Sequence, residues 1–357
     1  MQLFSERKRH ACFYKVTAAL FIVILVLCSF GAGQMRAGAE GVTTFTVDTL
    51  ADGVDGSLRA AIDAANITAG DFKIVIAVEG TLTASTALPV LNIHGRSGFI
   101  QSNPNATLTG FTCDIRDGGI FTLENVSIDN RAYDFATIVA RGNPEDTLLL
   151  SGRNSIKGNS HAVTISVDGF QDGRLIIDRV PGGSDADSVL TLTDARVDVH
   201  FVDELALKGG TVESHGSITG IASGLWVTGG RLIGLGDRDY GITAYFIHGS
   251  TAPITIDGGT IVARGGISDI GLYTYLIING GSFNAKTIED TMHPVDGSGN
   301  LVYLVTVTVG DPSVKNTEVS CSVNGGASFS CVTDEEGKLY LWMPAGEGAA
   351  EIDTGTA

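Results

Sequence analysis

The chain has 357 residues, with 23 Lys and Arg against 40 Asp and Glu and a formal net charge of −17. A surface this acidic repels phosphate backbones and anionic lipids, which excludes a nucleic-acid-binding role. Five cysteines are too few for a disulfide scaffold, and 47 glycines imply many tight turns between short strands.

Arg7, Lys8, Arg9 and Lys15 precede an uncharged apolar stretch over residues 16–33, followed by the small residues Ala37, Gly38 and Ala39. This is the layout of a secretory signal over residues 1–39 with an A-x-A cleavage site. An uncleaved membrane anchor is the alternative, because the stretch approaches the ~18 apolar residues of a spanning helix. The long basic n-region and the cleavage site favour removal. The expected product is a secreted or cell-surface protein with no membrane insertion. Removing residues 1–39 leaves 18 bases against 39 acids, a net charge of about −21. Cys12 and Cys28 fall within this signal.

The next element is a helix over residues 57–66, with Leu58, Ala61, Ile62 and Ala65 on one face at i, i+3, i+4, i+7. Ser57 is its expected N-cap, after Gly56. Beyond it the apolar residues alternate as in short strands. Cys113 sits in such a run and is expected in the core. Weaker repeat units begin at Phe121, Ala162, Arg174 and Leu190, and clear ones at Leu205, Leu225, Ile254 and Leu276. Each clear unit reads apolar, x, apolar, polar, Gly, Gly, x, apolar. The glycine pairs begin at Gly209, Gly229, Gly258 and Gly280, with spacings of 20, 29 and 22 residues. Such self-similarity marks a solenoid.

Within each unit the alternation puts Leu205 with Leu207, Leu225 with Val227, Ile254 with Ile256, and Leu276 with Ile278 on an inward face. The glycines turn the chain, and Val212, Leu232, Ile261 and Phe283 re-enter the core on the next strand. At ~22 residues per coil and ~4.8 Å per rung, residues 44–287 make about eleven coils and a rod of roughly 50 Å. An open solenoid end exposes strand edges and core, so it needs a cap. The helix supplies one at the start.

The run from Gly56 to Asn66, GSLRAAIDAAN, resembles the "GSLR-x-A-I-x-x-A-N" start of bacterial β-helix surface proteins and adhesins. The resemblance covers about 50 residues. The Gly-Gly coils are similar to those of bacterial surface proteins often labelled carbohydrate-binding. The expected fold is therefore all-β: a right-handed parallel β-helix over residues 40–287, with its cap at 44–70.

Residues 288–300, with Pro294, Gly297 and Gly299, read as a linker. A small β-sandwich-like module is expected over 301–357, from the alternating strands at 302–309 and 338–343. It resembles a domain appended to repetitive surface proteins of Gram-positive bacteria. It holds the only close cysteine pair, Cys321 and Cys331, for which a bridge and two free thiols remain equal alternatives. No sorting signal follows, which leaves a truncated module or noncovalent attachment.

Two clusters are candidate sites. Trp226 points outward, because Leu225 and Val227 point inward, and Tyr240, Tyr245, Tyr273 and Tyr275 crowd into the same coils. Flat aromatic faces are what sugar rings stack on. Asp237 and Asp239 lie in the loop of the 29-residue spacing and could share a calcium ion, with Arg264 one coil later. A solvated turn is the simpler account of that loop, as it is for Asp185 and Asp187. The histidines form no metal motif. If the Asp194-Ala195 turn matches Gly209-Gly210, His200 and His215 stack on successive coils.

The resemblance and these clusters imply a monomeric, non-catalytic surface protein, an adhesin or glycan-binding β-helix whose partners are glycans or other cell-surface proteins. A polysaccharide lyase or glycoside hydrolase of the pectin-lyase-like type is the rival reading. It requires Asp237, Asp239 and Arg264 to converge. A purely structural stalk is the third.

Overall fold

The computed structural model describes residues 41–141, 145–168, 173–202, 204–221, 224–235, 242–245, 253–263, 267–269, 276–285, 294–309, 314–345 and 350–354, with the backbone alone at 221, 243–245 and 267–269. The alternating segments wind into a parallel β-solenoid of three sheets. Among the described residues, sheet A runs in ten strands from Thr43–Val47 to Leu276–Ile278, sheet B in nine from Gly80–Leu82 to Ser282–Ala285, and sheet C in eight from Leu91–His94 to Ile267–Asp269. The strand Asp146–Lys157 serves sheets A and B, bending at Gly152, which has φ +65°. Eleven coils were expected. The rungs are fewer because several coils exceed 22 residues, the one from Leu225 to Ile254 taking 29.

Register confirms which residues face inward. Leu175, Leu205, Leu225, Ile254 and Leu276 form one column of sheet A, and Ile177, Leu207, Val227, Ile256 and Ile278 another. All are buried. Sheet B stacks Leu190, Val212, Leu232, Ile261 and Phe283, also buried. Sheet C stacks Leu91, Cys113, Ile138, Ile165 and Val199, so Cys113 is a core residue, its thiol pushed up by desolvation. Like-on-like stacking buries each aliphatic side chain against the same position one rung away.

The A-to-B corner explains the glycine pairs. The second glycine of each, Gly210, Gly230, Gly259 and Gly281, has φ between +72° and +85°. A Cβ on Gly230 would lie 2.5 Å from the Gly210 carbonyl oxygen, and one on Gly259 2.7 Å from that of Gly230. Positive φ and close stacking thus both select glycine.

Helix α1, Leu58–Ile67, lies against the first strands of sheets A and C and buries Leu58, Ala61, Ile62 and Ala65. The Ser57 hydroxyl accepts from the Ala60 amide at 3.2 Å, the expected N-cap. Arg59 ties the helix to the loops around it. Its Nε donates to Asp52 Oδ1 at 2.9 Å, and its Nη atoms donate to the carbonyls of Thr86 and Ala87. Asn66 donates to the Val90 carbonyl at 2.8 Å and accepts from the Asn92 amide at 2.9 Å. At the helix end, Arg96 donates to the carbonyls of Ala65 and Thr68, adding to the bond that the Ala65 carbonyl accepts from the Thr68 amide.

Val295, within the segment expected as a linker, bridges Ile277 in parallel and Leu301 in antiparallel sense. Beyond it, Val302–Thr308 pairs antiparallel with Lys338–Pro344, and Glu318–Val323 lies between Phe329–Val332 and Ala350–Asp353. These small sheets have a core of Val319, Cys321, Cys331, Leu339 and Leu341. They also dock on the last coils. The Trp342 indole stacks on Phe283 with centroids 5.7 Å apart and donates to the Phe283 carbonyl at 3.0 Å. Gly259 donates to the Ser330 carbonyl at 2.8 Å, and the Val332 amide to Thr260 Oγ1 at 2.7 Å.

Candidate ligand-binding face

The outward column of sheet A runs Ile176, Ala206, Trp226, Thr255 and Ile277. Trp226 points out of the rod as the pleat dictates, but it is half-buried rather than fully exposed. Ile176, Ala206 and Thr255 of the same column are buried, and Arg174, two rungs before Trp226, covers the indole with its guanidinium carbon 4.9 Å from the ring centroid. A cation over an indole face at this distance is attractive.

Arg174 is itself held between two carboxylates. Its Nη1 donates to Glu145 Oε1 at 2.9 Å and its Nε to Glu204 Oε2 at 2.6 Å, with Nη2 also on Glu204. The ladder pairs Arg174 with Glu204, and Glu145 stands one residue before Asp146, the partner of Leu175. Acid, base and acid therefore occupy consecutive rungs. The next place is Gly224, one residue before the Leu225 that pairs with Leu205. A Cβ there would lie 3.3 Å from Trp226 Nε1, so the missing side chain leaves the indole its place. Both carboxylates are partly exposed and keep acceptor capacity for hydroxyl donors.

Arg174, Glu145 and Glu204 were missed as site residues. The signal was present in part: Arg174 heads one of the aligned units and Glu204 stands one residue before another, whereas Glu145 belongs to none of them. Of the aromatics grouped with Trp226, Tyr240, Tyr273 and Tyr275 lie outside the described residues. Tyr245 ends the strand Ile242–Tyr245 opposite Ile221, with its side chain undescribed. Asp237, Asp239 and Arg264 also lie outside. Among the described residues no group of three or more His, Cys, Asp or Glu is close enough to hold a metal ion.

The supposed His200–His215 stack does not form. His200 lies in sheet C between Ser166 and Thr219, whereas His215 follows Ser214 at the end of a sheet B strand and contacts Glu213 Oε1 at 2.9 Å. The physical reason is that Asp194-Ala195 is a B-to-C corner, while Gly209-Gly210 is an A-to-B corner. Asp185, expected in a solvated turn, is buried: it accepts from the Gly210 amide at 2.6 Å and pairs with Arg179. Asp187 stays exposed and bonds Ser184.

Cys321 and Cys331 are buried with their sulfurs 3.1 Å apart. No family model matches the chain, and no curated protein or solved structure is detectably similar to it.

Proposed function

We propose that the chain is an exported, cell-surface β-solenoid that binds glycans without acting on them, in an adhesive role, through the sheet A face around Trp226. The observation that carries this reading is the joint placement of the Trp226 indole, the Arg174 guanidinium and the Glu145 and Glu204 carboxylates on one outward face. A sugar needs an apolar plate for its C–H face and charged acceptors or donors for its hydroxyls. Both stand here on rigid rungs, which lowers the ordering cost of binding. The basic, apolar leader before Ala39 supports export, with the secreted chain beginning at Glu40.

A glycan array probed with the secreted chain tests the reading. At least one glycan class is expected to bind, with affinity at least tenfold weaker in Trp226→Ala, while the circular dichroism and melting temperature of the variant stay near wild type. Absence of binding to every glycan, or equal binding by the folded variant, overturns the carbohydrate assignment. N-terminal sequencing of exported protein checks the leader: Glu40 is the expected first residue, and an intact Met1 refutes cleavage.

A further inference from the structure

We propose that Cys321 and Cys331 are a closable dithiol, forming an intramolecular disulfide that locks the strand by which the C-terminal sheets grip the solenoid. The two residues sit diagonally across antiparallel strands, Cys321 opposite Phe329 and Cys331 opposite Val319. Their sulfurs are 3.1 Å apart, about 1 Å beyond a covalent S–S bond. Both side chains face the same small core.

The Phe329–Val332 strand is the one that matters for docking. A Cβ on Gly280 would lie 2.7 Å from the Phe329 ring, showing how closely that ring covers the glycine corner. Ser330 and Val332 hydrogen-bond Gly259 and Thr260 of the last coils. Tying Cys331 to Cys321 holds this strand to its neighbour and opposes its peeling away from the rod.

The oxidant is a disulfide of the glutathione or exported oxidoreductase class. The Cys321 thiolate attacks it, releasing one thiolate and leaving a mixed disulfide on Cys321. The Cys331 thiolate then attacks the Cys321 sulfur, forming the protein bridge and expelling the second thiolate. Two electrons pass to the oxidant, and the two cysteine protons end on its released thiols. In the closed fold, contact with the Cys331 thiol lowers the pKa of Cys321; in the open strand either cysteine can attack first, and the bridge that results is the same. Because both sulfurs are buried, exchange occurs while the strands zip up or open locally, and the finished bridge is then shielded.

The test refolds the secreted chain, residues 40–357, in oxidised glutathione and, separately, in dithiothreitol, then alkylates under denaturing conditions and maps peptides. Expected from the oxidised sample is one linked peptide pair joining Cys321 to Cys331, lighter by two hydrogens, with Cys113 alkylated. Limited proteolysis should cut between residues 310 and 349 more slowly in the oxidised sample. The doubly substituted C321S/C331S chain should be cut equally fast in both. Alkylation of both thiols, separate glutathione adducts, or a bridge through Cys113 overturns the proposal. Equal proteolysis of oxidised and reduced wild type overturns the locking role. Should the double variant misfold, the wild-type peptide map and proteolysis decide alone.

Discussion

At the corner of sheets A and B a single hydrogen in place of a methyl group decides whether coils can stack. Gly230 and Gly53 both have φ +72°, but a Cβ on Gly230 meets the Gly210 carbonyl at 2.5 Å, whereas one on Gly53 meets nothing within 4 Å. Gly53→Ala should therefore lose only the backbone term, about 1 kcal/mol, and Gly230→Ala about 3 kcal/mol or more, because overpacking adds to it. Urea unfolding of the two variants measures the difference; equal losses would refute the stacking account. Two carboxylates act in opposite directions on acid stability. Hydrogen bonds from Arg59, then from the Ser85 amide and hydroxyl, hold Asp52 well below the usual carboxylate range. Its stabilising contribution is complete above the unfolded value of ~3.9 and is lost as pH falls below it. Burial instead raises Asp198, against bonds from the Gly216 amide and Ser214 hydroxyl. Between ~3.9 and that raised value its folded form holds a proton the unfolded chain has lost, so stability declines as pH rises. Asp52→Asn should flatten the loss of stability below pH ~4, read as the midpoint of acid unfolding by circular dichroism.

Among the elements, α1 was the most legible, because its stripe, cap and preceding glycine all agree on one structure. The periodicity alone could not show why Arg59 and Asn66 belong to the motif. Their partners are the carbonyls of Thr86, Ala87 and Val90, more than twenty residues away, which only the fold brings near. Ser57→Ala should cost about 1 kcal/mol through loss of the cap, and Arg59→Met should loosen the 83–90 segment, seen as faster amide exchange at Ser85. The glycine-paired strands were legible down to individual inward residues such as Leu232 and Phe283. Elsewhere period-2 alternation looks the same in all three sheets and does not say which sheet a strand joins. That ambiguity misplaced the segment from Leu190, which forms sheet B, and with it the His200–His215 relation. The Glu145–Arg174–Glu204 ladder escaped for a related reason: its members are about 30 residues apart and meet only through register.

Over the whole molecule, stability passes from rung to rung, so the ends carry disproportionate weight. α1 lies over the first coil and Trp342 over Phe283 near the last. Trp342→Ala should cost about 2–4 kcal/mol and raise aggregation, measured by light scattering, because uncovered strand edges pair with other chains. Between those ends, equivalent residues repeat in strict alignment, Leu205 over Leu225 and Val212 over Leu232. The rod should therefore tolerate excision of a whole turn: joining Glu204 directly to Leu225 brings Leu225 onto Leu175 and Leu232 onto Leu190 with every side chain still facing the way it did. Such a shortened chain should stay soluble and melt cooperatively, whereas a cut of half that length would set a strand of one sheet where the rod needs a strand of another.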